Sequence, residues 1–263
     1  MTYPSFGTDG VRGVANAELT PEVAVALGRA AAEILGSTTM VVGRDSRRSG
    51  PLLEAALVAG VASAGTDCEL LGVVPTPAVA WVASTESKAG AMISASHNPF
   101  ADNGIKLFAE GGQKLSDDVE AKIQARFHEL LSGTDPSTDR PIGAAVGDIR
   151  PSDAAKRWSG HVVATAGDVR FDGLRIVLDC AHGAAAGMAP DVFAALGANV
   201  SVIGAAPDGV NINEGVGSTH PQLLGERVVA EGADLGLAFD GDADRLIVAG
   251  SRGQIIDGDH ILG

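Results

Sequence analysis

The chain has 263 residues, 45% of them hydrophobic and only 20% charged, which indicates one or two globular domains and excludes a disordered protein. Its formal net charge of −14 argues against a general nucleic-acid or membrane-surface role. The apolar stretches fall short of a membrane span, and MTYPSFGTDG at the start lacks the layout of a secretory signal, so a cytoplasmic protein is expected.

Helices and strands are predicted to alternate along the first half of the chain. Thr20 and Pro21 are typical of a helix start, and the helix is predicted to continue through VAVALGRAAAEIL to Gly36. A strand in TMVVGRD precedes a helix in GPLLEAALVAGVASAG, for which Ser49 is the predicted N-cap. Strand CELLGVV, helix TPAVAWVAST and strand GAMISAS follow, and Ser116 is the predicted N-cap of a helix in SDDVEAKIQARFHELL.

Residues 132–152 are polar and contain Pro and Gly without a sustained period, so they are the predicted domain boundary. Strand and helix then alternate again through RIVLDC, GMAPDVFAALG, ANVSVIG, HPQLLGERVVAEG, DLGLAFD and RLIVAG. The segments VVGRDSRRSG…VASAGTDCELLG and IVLDCAHGAAAG…FAALGANVSVIG share one plan of strand, polar loop, helix, Gly turn and strand. Two such βαβ units predict two domains of one architecture.

The predicted fold class is α/β, with two related three-layer domains whose mixed sheets are mainly parallel and whose sites lie at the C-terminal ends of strands. The expected domains are residues 1–150, residues 151–252, and the beginning of a third domain in residues 253–263. The last segment, RGQIIDGDHILG, starts what is predicted to be another strand and helix. Because it stops without a helix cap, we expect the chain to be a fragment.

The cysteines and the basic residues limit the kinds of site that the chain can form. Cys68 and Cys180 are too few and too far apart for a disulfide framework or a zinc site, so two reduced thiols packed in strands are expected. Several of the 19 basic residues lie in loop-like segments rich in Gly, Asp and Ser. In an acidic protein, such cations indicate a small anionic ligand. They are Arg12, Arg44, Arg47, Arg48, Lys106 and Arg245.

Three aspartates alternate directly after the apolar strand in LGLAFDGDADRLIV: Asp240, Asp242 and Asp244. Carboxylates this close repel one another unless a cation neutralises them, which indicates a hard divalent metal such as Mg²⁺. An EF-hand loop starting at Asp240 would need Gly and Glu where this chain has Arg245 and Ser251. The remaining alternative is a solvated acidic turn.

A second group of polar side chains follows the strand GAMIS, in ISASHNPFADNGIKLF. Ser96 lies in a loop set by Asn98 and Pro99, so its hydroxyl is expected at the sheet edge where ligands bind in such folds. Lys106 is predicted to return to the same edge as a cation or proton carrier. Composition alone leaves open that Ser96 only forms a turn and that His97 is a packed or capping residue.

The motifs ISASHNPFADNGIKLF, DGDADR and FGTDGVRG together resemble those of the phosphohexomutase superfamily. The forms SASHNP and FGTDGVRG are most similar to the bacterial phosphoglucosamine mutases, and the three motifs occur in the family's order along essentially the whole chain. The resemblance implies that Ser96 is the phosphorylated serine. It also implies that Asp240, Asp242 and Asp244 hold one Mg²⁺ together with the serine phosphate.

The same resemblance implies roles for neighbouring residues. Arg245 and Arg12 would line the phosphoryl-transfer site, and Lys106 matches a lysine associated with proton transfer. The stretch GRDSR matches a loop beside the cleft, to which only a supporting electrostatic role is assigned. His97 is assigned an orienting role and not that of a general base, because adjacent side chains on an extended backbone diverge.

The implied reaction interconverts glucosamine 6-phosphate and glucosamine 1-phosphate through a sugar bisphosphate, as a step towards amino-sugar nucleotides and cell-wall precursors. The implied partners are the phosphorylated amino sugar and its bisphosphate, and a homodimer is left open. Complete members of the family have four domains, with a GEXSG-type sugar loop and an RxSGTEP-type phosphate loop in the last two. Neither motif occurs here, so the fragment alone is expected to be inactive.

Three other functions stay open. Phosphomannomutase or phosphoglucomutase activity would use the same motifs, because the sugar loop sets specificity. An aspartyl-phosphate phosphatase of the haloacid dehalogenase type would use LGLAFDGD, but it expects Thr or Val where this chain has Asp244, and it leaves SASHNP unexplained. A non-catalytic module that binds metal and phosphate is the third.

Overall fold

A computed structural model of the chain describes residues 10–134, 140–256 and 258. They form two α/β domains, each built on a mixed sheet with helices on both faces. The two domains have the three-layer architecture that the sequence predicts. Among the described residues, no helix combines the length and the apolar character needed to cross a membrane.

The first domain has a six-stranded sheet of order β1-β5-β4-β2-β3-β6, antiparallel across β1, β5 and β4 and parallel across the rest. Its strands are β1 Val11–Val14, β2 Thr39–Arg44, β3 Asp67–Val73, β4 Ala89–Ile93, β5 Asp102–Phe108 and β6 Ile149–Pro151. Its helices are α1 Pro21–Leu35, α2 Gly50–Ser63, α3 Thr76–Thr85 and α4 Asp117–Ser132.

The second domain has a five-stranded sheet of order β11-β10-β9-β7-β8, antiparallel across β11, β10 and β9 and parallel from β9 to β8. Its strands are β7 Arg175–Asp179, β8 Asn199–Ile203, β9 Leu235–Phe239, β10 Leu246–Gly250 and β11 Ile255–Ile256. Its helices are α6 Ala189–Ala195 and α7 Pro221–Glu231. Helix α5, Ala154–Thr165, leads into this domain and packs Ala154 and Trp158 against the α3 side of the first domain.

The two sheets repeat one arrangement. Strands β4-β2-β3 of the first domain and β9-β7-β8 of the second are parallel and occur in the same order. At one end of each set, β4 and β9 pair with the antiparallel strands β5 and β10. The loop that contains Ser96 joins β4 to β5, and the DGDADR loop joins β9 to β10. The two predicted active-site loops therefore occupy equivalent places in the two domains.

Buried strand residues alternate between the two faces of each sheet, as a β-strand requires. In β2, Met40 and Val42 pack beneath α1, α2 and α4, whereas Val41 packs beneath α3. In the second domain, Ile176 packs on the α6 side and Val177 on the α7 side. Because both faces are covered, these strands are nearly continuous apolar runs, and this is why they could be recognised in the sequence.

Several predicted elements are confirmed. Helix α1 begins after Thr20, whose hydroxyl accepts a bond from the Val23 N–H (3.4 Å), and it ends at Gly36 in the left-handed conformation with φ 64°. Cys68 and Cys180 are unpaired and buried. Burial raises the pKa of each thiol to about 12, so both are unreactive thiols.

Ser49 and Ser116 occupy the predicted N-cap positions of α2 and α4. Neither Ser49 nor Ser116 makes a side-chain cap bond. Ser49 has a helical backbone (φ −75°, ψ −14°), unlike the extended backbone of a capping serine. Its hydroxyl instead accepts a bond of 2.9 Å from the Asn103 side chain, which ties α2 to β5.

Four elements were not predicted: β1, β5, β6 and α5. Strands β1 and β5 are short or begin with Asp, Asn and Gly, and they form by antiparallel pairing with each other and with β4. Strand β6 lies within the predicted boundary of residues 132–152 and pairs with β3. Residues 257 and 259–263, most of the segment assigned to a third domain, lie outside the described residues, while β11 pairs with β10.

The close crossing of α1 and α2 depends on two glycines and gives a first prediction. A Cβ on Gly60 would lie 2.1 Å from the Val25 carbonyl oxygen, and one on Gly28 would lie 2.2 Å from the Leu57 carbonyl oxygen. Because both obstacles are backbone atoms, Gly60→Ala must separate the helices. We expect it to lower the free energy of unfolding by about 1–3 kcal/mol in urea titrations.

The matched control is Gly160→Ala in α5, where a Cβ would meet no atom within 4 Å. There the alanine should stabilise the chain by about 0.5–1 kcal/mol, because it restricts the unfolded backbone. Equal unfolding midpoints for the two variants would show that the α1–α2 crossing can relax freely.

Candidate active site

The loop between β4 and β5 holds Ser96 in an unusual backbone conformation. Its φ is 52°, in the left-handed region that few residues other than glycine adopt. The Ser96 N–H donates to the Ser94 hydroxyl (2.9 Å), and that hydroxyl donates to the Asp45 carboxylate (2.6 Å). Ser96 is thus fixed in a strained conformation that turns its side chain away from its own sheet.

The Ser96 hydroxyl faces the second domain. It donates a bond of 2.6 Å to Asp240, which follows directly after β9 and is fully buried. The equivalent loops of the two domains therefore meet, and the residues that the resemblance assigned as phosphoserine and metal ligand are in direct contact.

The three aspartates form a compact group. One ligand oxygen of each lies within 4.8 Å of the others. Asp242 accepts a bond of 2.5 Å from the Thr76 hydroxyl, and its other oxygen, Oδ1, is buried without a hydrogen-bond partner. Burial above all, and also the negative charge of Asp240, raises the pKa of Asp242. A buried carboxylate oxygen without a donor, beside two other carboxylates, fits a bound divalent cation.

Thr76 was not found from the sequence. It is the first residue of α3, and it reaches Asp242, 166 residues further along the chain, with its backbone N–H (2.9 Å to the Asp242 carbonyl) and with its hydroxyl. A threonine before a proline is typical of any helix start, so no signal in the sequence could have connected it with the acidic group.

Two cations lie beside the exposed member of the aspartate group. Lys106, on β5, has its Nζ 3.8 Å from one oxygen of Asp244, and Arg245 has its Nε 3.8 Å from the other. The backbone N–H of Arg245 also donates to Asp240 (3.2 Å). Lys106 reaches this position because β5 runs antiparallel to β4 and returns from the Ser96 loop.

Arg12 lies on β1, opposite Gly104 of β5. A Cβ on Gly104 would lie 2.9 Å from Arg12 Cγ and 2.7 Å from the Ser94 carbonyl oxygen. The absence of a side chain at this glycine allows Arg12 to cross β5 close to the start of the Ser96 loop.

The prediction that the Ser96 and His97 side chains diverge on an extended backbone is wrong. An extended backbone would separate adjacent side chains, but the left-handed Ser96 brings its Oγ to 3.4 Å from His97 Nδ1. The expectation that loop cations face a ligand also fails for Arg47, while Arg44 ends β2 and does not lie in a loop. Arg44 bonds Glu54 (3.2 Å), and Arg47 is fully buried within the first domain.

Comparison with known proteins agrees with this geometry. Residues 4–134 match the family model described as phosphoglucomutase/phosphomannomutase, alpha/beta/alpha domain I, and residues 158–253 match domain II of the same family. Two α/β domains that bring a serine loop against an aspartate loop define the phosphohexomutase class of fold. The chain belongs to the phosphoglucomutase/phosphomannomutase family.

Among its relatives are the phosphoglucosamine mutases of Rhodococcus jostii, 54% identical over 266 residues, and Pelotomaculum thermopropionicum, 52% identical over 263 residues. Each alignment covers 98% of this chain and 58% of the relative, so the chain spans about three-fifths of these proteins. A solved phosphoglucomutase/phosphomannomutase family protein from Burkholderia thailandensis is 31% identical, with a TM-score of 0.81 over 97% of this chain and 56% of that one. A putative phosphomannomutase from Thermus thermophilus is 25% identical, with a TM-score of 0.80 over 98% and 59% of the two chains.

Proposed function

We propose that this chain carries the phosphoserine and metal loops of a phosphoglucosamine mutase, which interconverts glucosamine 6-phosphate and glucosamine 1-phosphate. The observation that carries the proposal is the 2.6 Å contact between Ser96 and Asp240 across the two domains. Because the chain spans 58% of its relatives, the complete reaction is proposed for the whole protein. Uptake of phosphate by Ser96 is the step of this reaction that can be tested with the present chain.

In the proposed reaction, Ser96 Oγ carries the phosphoryl group and exchanges it with a sugar hydroxyl. As the bond from phosphorus to the sugar oxygen forms, the bond from phosphorus to Ser96 Oγ breaks, and the hydroxyl proton passes to Lys106. The resulting sugar bisphosphate turns over and returns its other phosphate to Ser96. Arg12 and Arg245 would supply fixed donors to the phosphoryl oxygens, and His97 would orient the serine oxygen.

The proposed metal ligands are Asp240, Asp242 and Asp244 together with the phosphate on Ser96. A bound Mg²⁺ would supply Lewis-acid neutralisation of charge on the phosphoryl oxygens. The Thr76 hydroxyl donates to one oxygen of Asp242, so the unpartnered Oδ1 is the oxygen available to bind a cation.

The choice of substrate class is supported by the names of the relatives. A phosphorylated amino sugar and its bisphosphate are proposed because the phosphoglucosamine mutases are 52–54% identical to this chain. A phosphomannomutase or phosphoglucomutase is the second candidate, favoured by the structural likeness to the Burkholderia and Thermus proteins. A cytoplasmic location and a homodimer belong to the same proposal.

The proposed domain limits are residues 1–150, residues 151–252 and a third domain beginning at residue 253. Strand β6 ends the first sheet at Pro151, one residue past the first limit, and α5 after it still packs Ala154 and Trp158 against the core of the first domain.

The test is to incubate the chain with Mg²⁺ and a high concentration of glucose 1,6-bisphosphate and to locate the added phosphate by peptide mass spectrometry. Phosphate on Ser96 is the expected result. Phosphate on Asp240, recognised by its release with hydroxylamine, would favour an aspartyl phosphatase instead. Binding of Mg²⁺ without any phosphorylation would favour a non-catalytic module. Parallel reactions with the glucosamine and mannose bisphosphates show which sugar bisphosphate phosphorylates Ser96 fastest.

A second prediction concerns the metal. Asp242→Asn should abolish the stabilisation by Mg²⁺, which for the wild-type chain is worth about 2.7 kcal/mol when the ion is present at a hundred times its dissociation constant. Without Mg²⁺ the same variant should be at least as stable as wild type, because it removes a buried charge that faces Asp240. Thermal unfolding with and without MgCl₂ measures both effects.

The control is Asp168→Asn, which removes one exposed carboxylate of the second domain. It should leave the shift caused by Mg²⁺ unchanged. If Asp242→Asn retained the full shift, the aspartate group would not be the metal site.

A further inference from the structure

Asn213 reaches from the second domain into the Ser96 loop of the first. It lies between β8 and α7, is 8% exposed, and has a left-handed backbone with φ 61°. Its side-chain amide donates to the carbonyl oxygens of Ser96 (2.9 Å) and Asn98 (3.2 Å). Its own N–H donates to the Ala181 carbonyl (2.8 Å), which holds the residue on its domain.

The same two carbonyl groups accept bonds from the first domain. Arg47 donates to the oxygens of Ser96 (3.0 Å) and Asn98 (2.9 Å). Each carbonyl is therefore held by one donor from each domain. With the Ser96 N–H held by Ser94 (2.9 Å), the peptide groups on both sides of Ser96 are fixed, and the direction of its side chain is fixed with them.

The metal loop meets Asn213 at the same point. A Cβ on Gly241 would lie 2.6 Å from the Ser96 carbonyl oxygen and 3.0 Å from Asn213 Nδ2. The Ser96 loop, the aspartate loop and Asn213 thus converge on one glycine. Because these three segments pack directly against one another, a change in the position of Asn213 is expected to disturb the contact between Ser96 and Asp240.

We propose that Asn213 is a positioning residue: it holds the Ser96 loop in the left-handed conformation that points Ser96 Oγ at Asp240, and so couples phosphoryl transfer to docking of the two domains. Arg47 alone leaves the loop tied only to its own domain. Asn213 ties it to the domain that carries the aspartates. The kinetic part of this inference rests on the proposed function, whereas the conformational part does not.

The test variant is Asn213→Asp, because aspartate tolerates the left-handed backbone and has almost the same shape. Its carboxylate would face the two carbonyl oxygens and repel them. We expect the maximal single-turnover rate of Ser96 phosphorylation by glucose 1,6-bisphosphate to fall about 10- to 100-fold, as for a misplaced reacting group. The half-saturating concentration of the bisphosphate should change little.

A second measurement is independent of phosphorylation. Hydrogen exchange of the Ser96 amide, followed by NMR, should become faster in Asn213→Asp because the loop loses one of its anchors. The control Asn199→Asp adds the same charge at the exposed start of β8 and should alter neither the rate nor the exchange.

The outcomes separate the inference from the proposed function. If wild type takes up no phosphate, the proposed function fails, and exchange at Ser96 alone decides: unchanged exchange in Asn213→Asp overturns the inference. If wild type is phosphorylated and the variant matches its rate, the inference also fails. An unchanged maximal rate with weaker binding would instead assign Asn213 to the ligand. Should the aspartate variant not fold, Asn213→Ala removes both donors without adding charge.

Discussion

Ser96→Ala is expected to reduce uptake of phosphate from a sugar bisphosphate by at least about a thousandfold, because the variant lacks the nucleophilic oxygen. The readout is intact mass, which rises by one phosphoryl group in the wild-type chain and stays constant in the variant. Stabilisation by Mg²⁺ should persist, since the three aspartates are unchanged. This combination separates the loss of the phosphoryl carrier from the loss of the metal site.

The control for Ser96→Ala is Ser251→Ala, which removes an exposed hydroxyl in the turn between β10 and β11. It should be phosphorylated like wild type. Phosphate uptake by Ser96→Ala at the wild-type rate would show that another group is the acceptor, and peptide mapping would identify it.

Much of the fold and the identity of the two active-site loops could be predicted from the sequence. Helix α1 has a local start signal at Thr20 and a local stop signal at Gly36, and both are confirmed. The nearly continuous apolar runs of the central strands are equally local signals. The rule that ligands bind at the C-terminal ends of parallel strands predicts each loop at the edge of its own sheet. That the Ser96 loop meets the Asp240 loop was implied only by the resemblance to the phosphohexomutases.

The remaining features depend on contacts between distant parts of the chain. Thr76 bonds Asp242 only because α3 of the first domain starts beside the aspartate loop of the second. The left-handed backbone of Ser96 is stabilised by donors from both domains, which no local pattern indicates. For this reason the sequence also led to the wrong geometry for His97.

The position of Arg47, a charged side chain, also depends on distant contacts and could not be predicted from the sequence. Arginines are almost never fully buried unless they are paired, so its loop-like sequence favoured an exposed cation beside the ligand. In the structure it is among the largest fully buried side chains. It pairs with Asp45 (2.9 Å) and donates to four carbonyl groups around the Ser96 loop. These carbonyls belong to Ser96, Asn98, Pro99 and Asp102.

Replacing Arg47 with methionine, which roughly fills its volume, should therefore lower the free energy of unfolding by about 3–5 kcal/mol. The variant leaves Asp45 as an uncompensated charge in the core and deprives four carbonyl groups of a donor. Burial already raises the pKa of Asp45 although Arg47 opposes the shift, and without Arg47 the pKa should rise further. A group with a raised pKa in the folded state stabilises it less as pH increases, so the deficit of the variant should grow with pH and shrink as Asp45 takes up a proton.

Urea unfolding of Arg47→Met across a series of pH values measures both the deficit and its slope. The matched control is Arg157→Met, which removes the exposed ion pair with Glu86 and should leave the midpoint nearly unchanged. An Arg47 variant as stable as the control would mean that water or a rearranged loop replaces all the lost donors. If the deficit is large but does not depend on pH, the lost carbonyl bonds account for it and the Asp45 charge does not. In either case, the phosphorylation rate of Ser96 in Arg47→Met then reports how far the loop conformation depends on the first domain alone.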